Sequence, residues 1–169
     1  MPLDSWATGL GYHQMRAICV DTVDNHVYAG GQNGLVYSSD LYNANWQEGA
    51  QVGNSVLTMV FRPAITELVV LTSDKEHPRA SGSGSGGPWE DVPGLPSGKH
   101  VVDMVVSSES DYLFCVLVDG STEAATYYDT WTTIAGQPDN EYIDAIAAGP
   151  SGYVYALFSN GRLYRCKTY

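Results

Sequence analysis

The sequence is short of charge, and of positive charge above all. Eight Lys and Arg against nineteen Asp and Glu leave a formal net charge of −11, and charged residues fill only 16% of the 169 positions, against about 25% in an average domain. So acidic a chain has little with which to neutralise phosphate, which excludes nucleic acid and anionic membrane surfaces as expected partners. Cysteine is scarce too. Cys19, Cys115 and Cys166 are far apart, odd in number and form no CxxC pair, so neither a disulfide framework nor a thiolate metal site is expected. Each thiol reads as a small buried hydrophobe, a usage that fits cytoplasmic synthesis and is compatible with a virion-associated protein. No basic stretch leads into an apolar one at Met1-Pro2-Leu3-Asp4-Ser5-Trp6, and no run approaches the roughly 18 apolar residues of a membrane span. Neither a signal peptide nor membrane insertion is therefore expected.

What is abundant is strand-forming and turn-forming material. Hydrophobic residues make up 44% of the chain, with 12 Tyr and 18 Gly, enough for one buried core on an all-β rather than a helical scaffold. Internal repetition gives the architecture. Met15 to Val20 leads to His26 to Ala29. The same pattern returns as Val56 to Phe61 with Glu67 to Val70, Val101 to Val106 with Tyr112 to Cys115, and Tyr142 to Ala147 with Tyr153 to Ala156. The step from Ile18 to Val27, Met59 to Leu68, Met104 to Leu113 and Ala145 to Val154 is nine residues each time, and the second anchors follow one another after 41, 45 and 41 residues. Seven residues beyond each anchor comes a turn: Asn33-Gly34, Asp74-Lys75, Asp119-Gly120 and Asn160-Gly161. The Asn-Gly and Asp-Gly pairs suit type I′ turns, where both central residues take positive φ.

A repeat of 41 to 45 residues is the length of one four-stranded propeller blade. The expected fold is all-β, a four-bladed β-propeller with four antiparallel strands per blade. Blades are expected at 15–51, 52–99, 100–139 and 140–169, within one domain of residues 1–169. Trp46, Trp89 and Trp131 mark the outer strand of the first three, and the fourth repeat stops before its own. Trp6, nine residues before Met15, supplies the missing one, so residues 1–14 are expected to complete the last blade and close the ring. Closure protects the otherwise unpaired edge. Two chains forming one eight-bladed ring is the competing geometry.

Ser38-Ser39-Asp40-Leu41-Tyr42-Asn43-Ala44-Asn45-Trp46 resembles a degenerate Asp-box, the turn motif of sialidase and photosystem-assembly propellers. Tyr42 stands where the motif has glycine, and Trp46 lies one place further along than its tryptophan. The resemblance implies fold, because that motif is a structural turn away from the active site.

Chemistry is sparse. A sialidase needs three clustered arginines, whereas Arg16, Arg62, Arg79, Arg162 and Arg165 are dispersed. His13, His26, His77 and His100 show no HxH or HExxH spacing. Asp103 and Asp144 could in principle flank a glycosidic bond, but nothing marks an acid and a nucleophile, and no catalytic residue is assigned. Ser81 to Gly87 lacks the ending of a phosphate loop and reads as a flexible connection between strands three and four of the second blade. Because that blade is irregular, Lys75, His77, Arg79 and Trp89 are the expected partner-contacting residues, with Lys75 and Lys99 giving local basic character. On the first strands, Ala17, Thr58, Asp103 and Asp144 are expected to share one level around the axis. Thr58, Asp103 and Asp144 are there the candidate ligands for an axial Ca²⁺ or Mg²⁺. Four-bladed hemopexin domains, similar in blade number only, hold ions in their channels. The function expected is that of a non-catalytic binding or structural module acting on a protein partner or a second copy of itself, in a virion or surface assembly. Carbohydrate binding is the alternative and a glycan-active enzyme the remote one, and the divergent loops favour one asymmetric patch over a repeated sugar pocket.

Overall fold

The computed structural model describes residues 14–42, 45–74, 77–93, 100–107, 112–117, 122–125, 132–133, 141–149 and 152–167. Its strands run in chain order through four antiparallel meanders. The first sheet holds β1 (Met15–Asp21), β2 (His26–Gly31), β3 (Leu35–Asp40) and β4 (Gln47–Gln51). The second holds β5 (Val56–Arg62), β6 (Glu67–Thr72), β7 (Arg79–Ser81) and β8 (Glu90–Asp91). In the third are β9 (Val101–Val106), β10 (Leu113–Leu117), β11 (Thr122–Ala125) and β12 (Thr132–Thr133), and in the fourth β13 (Ile143–Ala148), β14 (Tyr153–Phe158) and β15 (Leu163–Lys167). Trp46 directly precedes β4 and Trp89 directly precedes β8. Trp131, Trp6 and the expected closing strand up to residue 13 lie outside the described residues.

Period-two alternation assigns each side chain to one face of its sheet. Leu68 and Val70 of β6 join Tyr28, Val36, Val52, Val56 and Met59 between sheets one and two. Val69 and Leu71 of the same strand turn the other way, to Val101, Met104, Leu113, Cys115 and Leu117. Phe114 packs with Val154, and Val116 with Ile143 and Phe158, which seats sheet four on sheet three. Consecutive first strands touch: β1 meets β5, β5 meets β9 and β9 meets β13. β10 is buried along its whole length, whereas β14 and β15 are only half covered. Exposed apolar side chains lie on all four sheets, Val20 on β1, Leu57 on β5, Val102 on β9 and Leu157 on β14 among them, and Ile18 (68%) on β1 and Leu163 (67%) on β15 are the most exposed within the strands. Among the described residues, no helix is long and apolar enough to cross a membrane.

Two local expectations need correction. Gly34 and Gly161 each take φ +78°, but Asn33 and Asn160 are not at positive φ, so these turns are not type I′. Each is a three-residue loop in which the Gly N–H returns to the strand carbonyl, Gly31 O at 3.1 Å or Phe158 O at 2.8 Å. The Asn Oδ1 then accepts from Leu35 or Arg162 N–H. This is a type I turn followed by a left-handed glycine.

The second correction concerns the axial level. Every first strand carries a bulge, at Arg16, Leu57, Val102 and Asp144 respectively. The residues after the bulges are Ala17, Thr58, Asp103 and Ala145, so Asp144 sits one position before the level of Asp103. The cause is the last hairpin: three residues separate the Gly149/Tyr153 pair, where four separate Asp21 from His26, Arg62 from Glu67 and Ser107 from Tyr112. A constant nine-residue step along the chain therefore slips by one in space.

Candidate functional site

A cleft of about 350 Å³ opens at the seam of the first two sheets. The β1–β2 turn supplies Asp21, Asp24 and His26, the strands supply Tyr28, Ser38 and Phe61, and Thr66 and Gly82 to Ser85 close the far side. His26, Tyr28 and Phe61 stand in a row, with centroid separations of 6.3 and 6.2 Å and interplanar angles of 21° and 24°. His26 and Tyr28 share a face because they are two apart on one strand. Asp21 is buried, and its Oδ1 accepts from Val23 N–H at 2.8 Å and Asp24 N–H at 3.1 Å, which builds the turn. The exposed Asp24 carboxylate has no hydrogen bond or ion pair among the described residues. Burial, followed by the charge of Asp21, pushes the Cys19 thiol up to about 12, and burial followed by Asp21, Cys19 and Asp24 pushes the Tyr28 hydroxyl up to about 12. Tyr28 thus stays a neutral donor at neutral pH, in a cleft whose lining holds two carboxylates and no Lys or Arg.

The Gly/Ser segment that makes the far wall is packed rather than flexible. Residues Gly84–Gly86 form a 3₁₀ turn in which Gly84 and Ser85 are buried, and Ser85 Oγ donates to Ser38 Oγ of the first sheet at 3.0 Å. Glycine is required on both sides of this contact. A Cβ at Gly84, which has φ +61°, would lie 2.6 Å from Tyr28 Oη, and one at Gly49 would collide with Ser85 O and lie 2.6 Å from Val36 O. The composition that suggests flexibility instead allows close approach.

A second depression of about 370 Å³ runs along Glu67, Pro88, Glu90, Asp91 and Pro93. Its carboxylates are largely matched. Asp91 accepts from Arg79 Nε at 3.0 Å, and Glu67 lies 3.5 Å from Arg62, a fully buried arginine at the β5–β6 turn.

The residues expected to meet a partner are largely engaged within the fold. Arg79 bridges Asp91 and donates through Nη1 to Val52 O at 2.8 Å, tying the linker between the first two sheets to β7. Trp89 is half-buried against the core between those sheets, and His77 is half-buried. Lys75 and Lys99, the lysines of the expected basic patch, lie outside the described residues, and Arg79 is paired within the fold. Of the axial residues, Thr58 and Asp103 share a level. The Asp103 carboxylate accepts from Met104 N–H at 2.8 Å and from Ile146 N–H of the next sheet. Burial raises its pKa against the lowering effect of those two bonds. Among the described residues, no group of three His, Cys, Asp or Glu is placed to hold a metal.

Neither a protein-family model nor a curated protein sequence matches the chain. Solved structures do. The chain is similar to the computationally designed Ika4 protein (TM-score 0.65, 12% identity, 94% of this chain and 93% of that one). It is also similar to the β-propeller domain of Myceliophteria thermophila Cps50 (Swd1) (0.64, 14%, 93% of this chain, 55% of that one), and to the GH74 enzyme of Niastella koreensis (0.71, 16%, 90% and 22%). The fold is a β-propeller. Each of the four described sheets has the antiparallel meander of a propeller blade and is called one below, and the chain spans about half of the Cps50 propeller chain and under a quarter of the GH74 chain. The cleft lies between blades one and two. Sequence reading passed over it because Tyr28, Phe61 and Ser85 are distant along the chain. The one available signal was that the Asp21-to-His26 turn shares no chemistry with its counterparts.

Proposed function

We propose that this propeller is a non-catalytic binding or structural module that works through protein–protein contacts, with the cleft between blades one and two as its contact site. Asymmetry carries the reading. Asp21, Asp24 and His26 come from a turn whose counterparts at Arg62 to Glu67, Ser107 to Tyr112 and Ala148 to Tyr153 differ from it, and the docked Gly/Ser loop occurs once. One preformed cleft on a rigid disc serves a single protein partner, as a subunit of a virion or surface assembly would require. The lining offers contact chemistry, an aromatic row beside two carboxylates and the hydroxyls of Ser38, Thr66, Ser83 and Ser85. Carbohydrate binding is the second reading, favoured by the aromatic row beside carboxylates and hydroxyls.

The same proposal includes a ring closed within one chain, with residues 1–14 adding the fourth strand to β13–β15. Trp6 then takes the place that Trp46 and Trp89 hold before β4 and β8, and the exposed Ile18, Val20, Leu157 and Leu163 become covered. The turn in which Asp40 Oδ1 accepts from Tyr42 N–H at 2.7 Å is read as the Asp-box-like element of blade one.

The test is affinity capture from the native source with Ser83→Trp as the blocked form, run beside a glycan array. Ser83 is exposed at the cleft, so the indole fills the site without disturbing the core. A protein retained by the unmodified chain and lost by the variant supports the proposal. Equal retention by both relocates the contact, and glycan binding lost in Ser83→Trp favours the second reading.

A further inference from the structure

The chemistry of the cleft narrows what a partner presents to it. Its acids differ from others nearby: Asp91 is matched by Arg79 and Glu67 by Arg62, whereas Asp24 meets no cation among the described residues and Asp21 makes only local turn bonds. The charge is placed beside a wall of three aligned rings, His26, Tyr28 and Phe61, in a space of about 350 Å³. A carboxylate beside aromatic rings is the pairing that suits an arginine, whose guanidinium hydrogen-bonds to the acid while its apolar stem packs against the rings. We infer that the cleft receives an arginine side chain from the partner protein, with Asp24 as its ion-pairing group and the His26–Tyr28–Phe61 row as the wall beside its stem.

This rests on the cleft being a protein-contact site, and its test does not need the partner. The probes are acetylated, amidated tripeptides Gly-Arg-Gly and Gly-Gln-Gly, with a methyl glycoside as the sugar control. They are titrated into the isotope-labelled full chain while backbone amide shifts are followed. The arginine peptide is expected to move the amides of Val23, Asp24 and Ser83 to Ser85 saturably, and to bind about tenfold more tightly than the glutamine peptide, a difference of about 1.4 kcal/mol. Asp24→Asn should remove that preference. Asp144→Asn, an exposed acid on another blade with the same change in net charge, should keep it. Equal affinity for the two peptides, equal loss in both variants, or saturable shifts from the glycoside with none from the arginine peptide would overturn the inference. If capture from the native source fails while the arginine preference stands, the protein-contact reading falls and the cation site remains.

Discussion

Replacing Gly49 by alanine probes the joint on which the cleft depends. The added Cβ would collide with Ser85 O and come within 2.6 Å of Val36 O and 2.7 Å of Ser85 Cβ. Two of those three neighbours are backbone, so neither a rotamer change nor a flexible side-chain end relieves the contact. Either β4 or the 3₁₀ turn must move. Overpacking of this kind costs about 1–3 kcal/mol. At about 2–4 °C per kcal/mol for a domain near this size, the melting temperature should fall by about 2–12 °C. Gly82, in the same loop, is the control: a Cβ there meets nothing within 4 Å. Gly82→Ala should be neutral or stabilising by up to about 1 kcal/mol through the unfolded state. Thermal unfolding by circular dichroism reads the stability, and amide exchange at Gly84 to Gly86 reads whether the turn has lifted from blade one. Equal melting temperatures for the two variants, with unchanged exchange, would refute the packed-loop reasoning and return the segment to a flexible connection.

Other perturbations separate the remaining contacts. Arg79→Ala removes the Asp91 bridge and strands the Val52 carbonyl, so a loss of about 1–2 kcal/mol is expected in denaturant unfolding, with Arg79→Lys recovering only part. The pKa of Asp103 is raised above its ordinary value of 3.8 by burial. Its contribution is therefore fully present below that value and is lost as pH rises through the folded-state value. The stability of the unmodified chain relative to Asp103→Asn should fall with rising pH above about 3.8; a flat difference would contradict this. Calorimetric titration with Ca²⁺ or Mg²⁺ should give no heat that depends on Asp103 and Asp144 together, since one carboxylate is committed to two amides and the other stands one position away. Heat abolished by the double Asn variant would restore the axial cation. Deleting residues 1–10 should lower the melting temperature sharply or cause aggregation if they close the ring, and the intact chain should have the mass of a monomer. An unaffected truncation would refute closure, and a dimer mass would support the two-chain ring.

The strands were legible in the sequence because alternation and spacing both report local geometry. Met15 to Val20 and His26 to Ala29 announce a hairpin whichever way the sheet later packs, and the other three pairs do the same. Register was less legible, since one residue fewer between the paired Gly149 and Tyr153 leaves the spacing of residue types intact while moving Ala145, rather than Asp144, to the level of Asp103. The Gly/Ser loop was misread for a different reason. Composition distinguishes glycine from other residues but not the purposes of freedom and close approach, and only the position of Gly49 opposite Ser85 decides between them. The cleft was the least legible feature, because β1, β2 and β5 and the loop after β7 bring together residues that no local window contains. Arg79 looked like a free cation for the same reason, as Asp91 and Val52 are visible beside it only once blade two is folded.

The claim that blades one and two hold the contact site is tested most directly by amide hydrogen exchange of the chain alone and in complex with the protein it captures. Protection concentrated at Asp21 to Tyr28 and at Gly82 to Ser85 is the result predicted. Protection confined to blades three and four, with those two segments exchanging as in the free chain, would contradict the account.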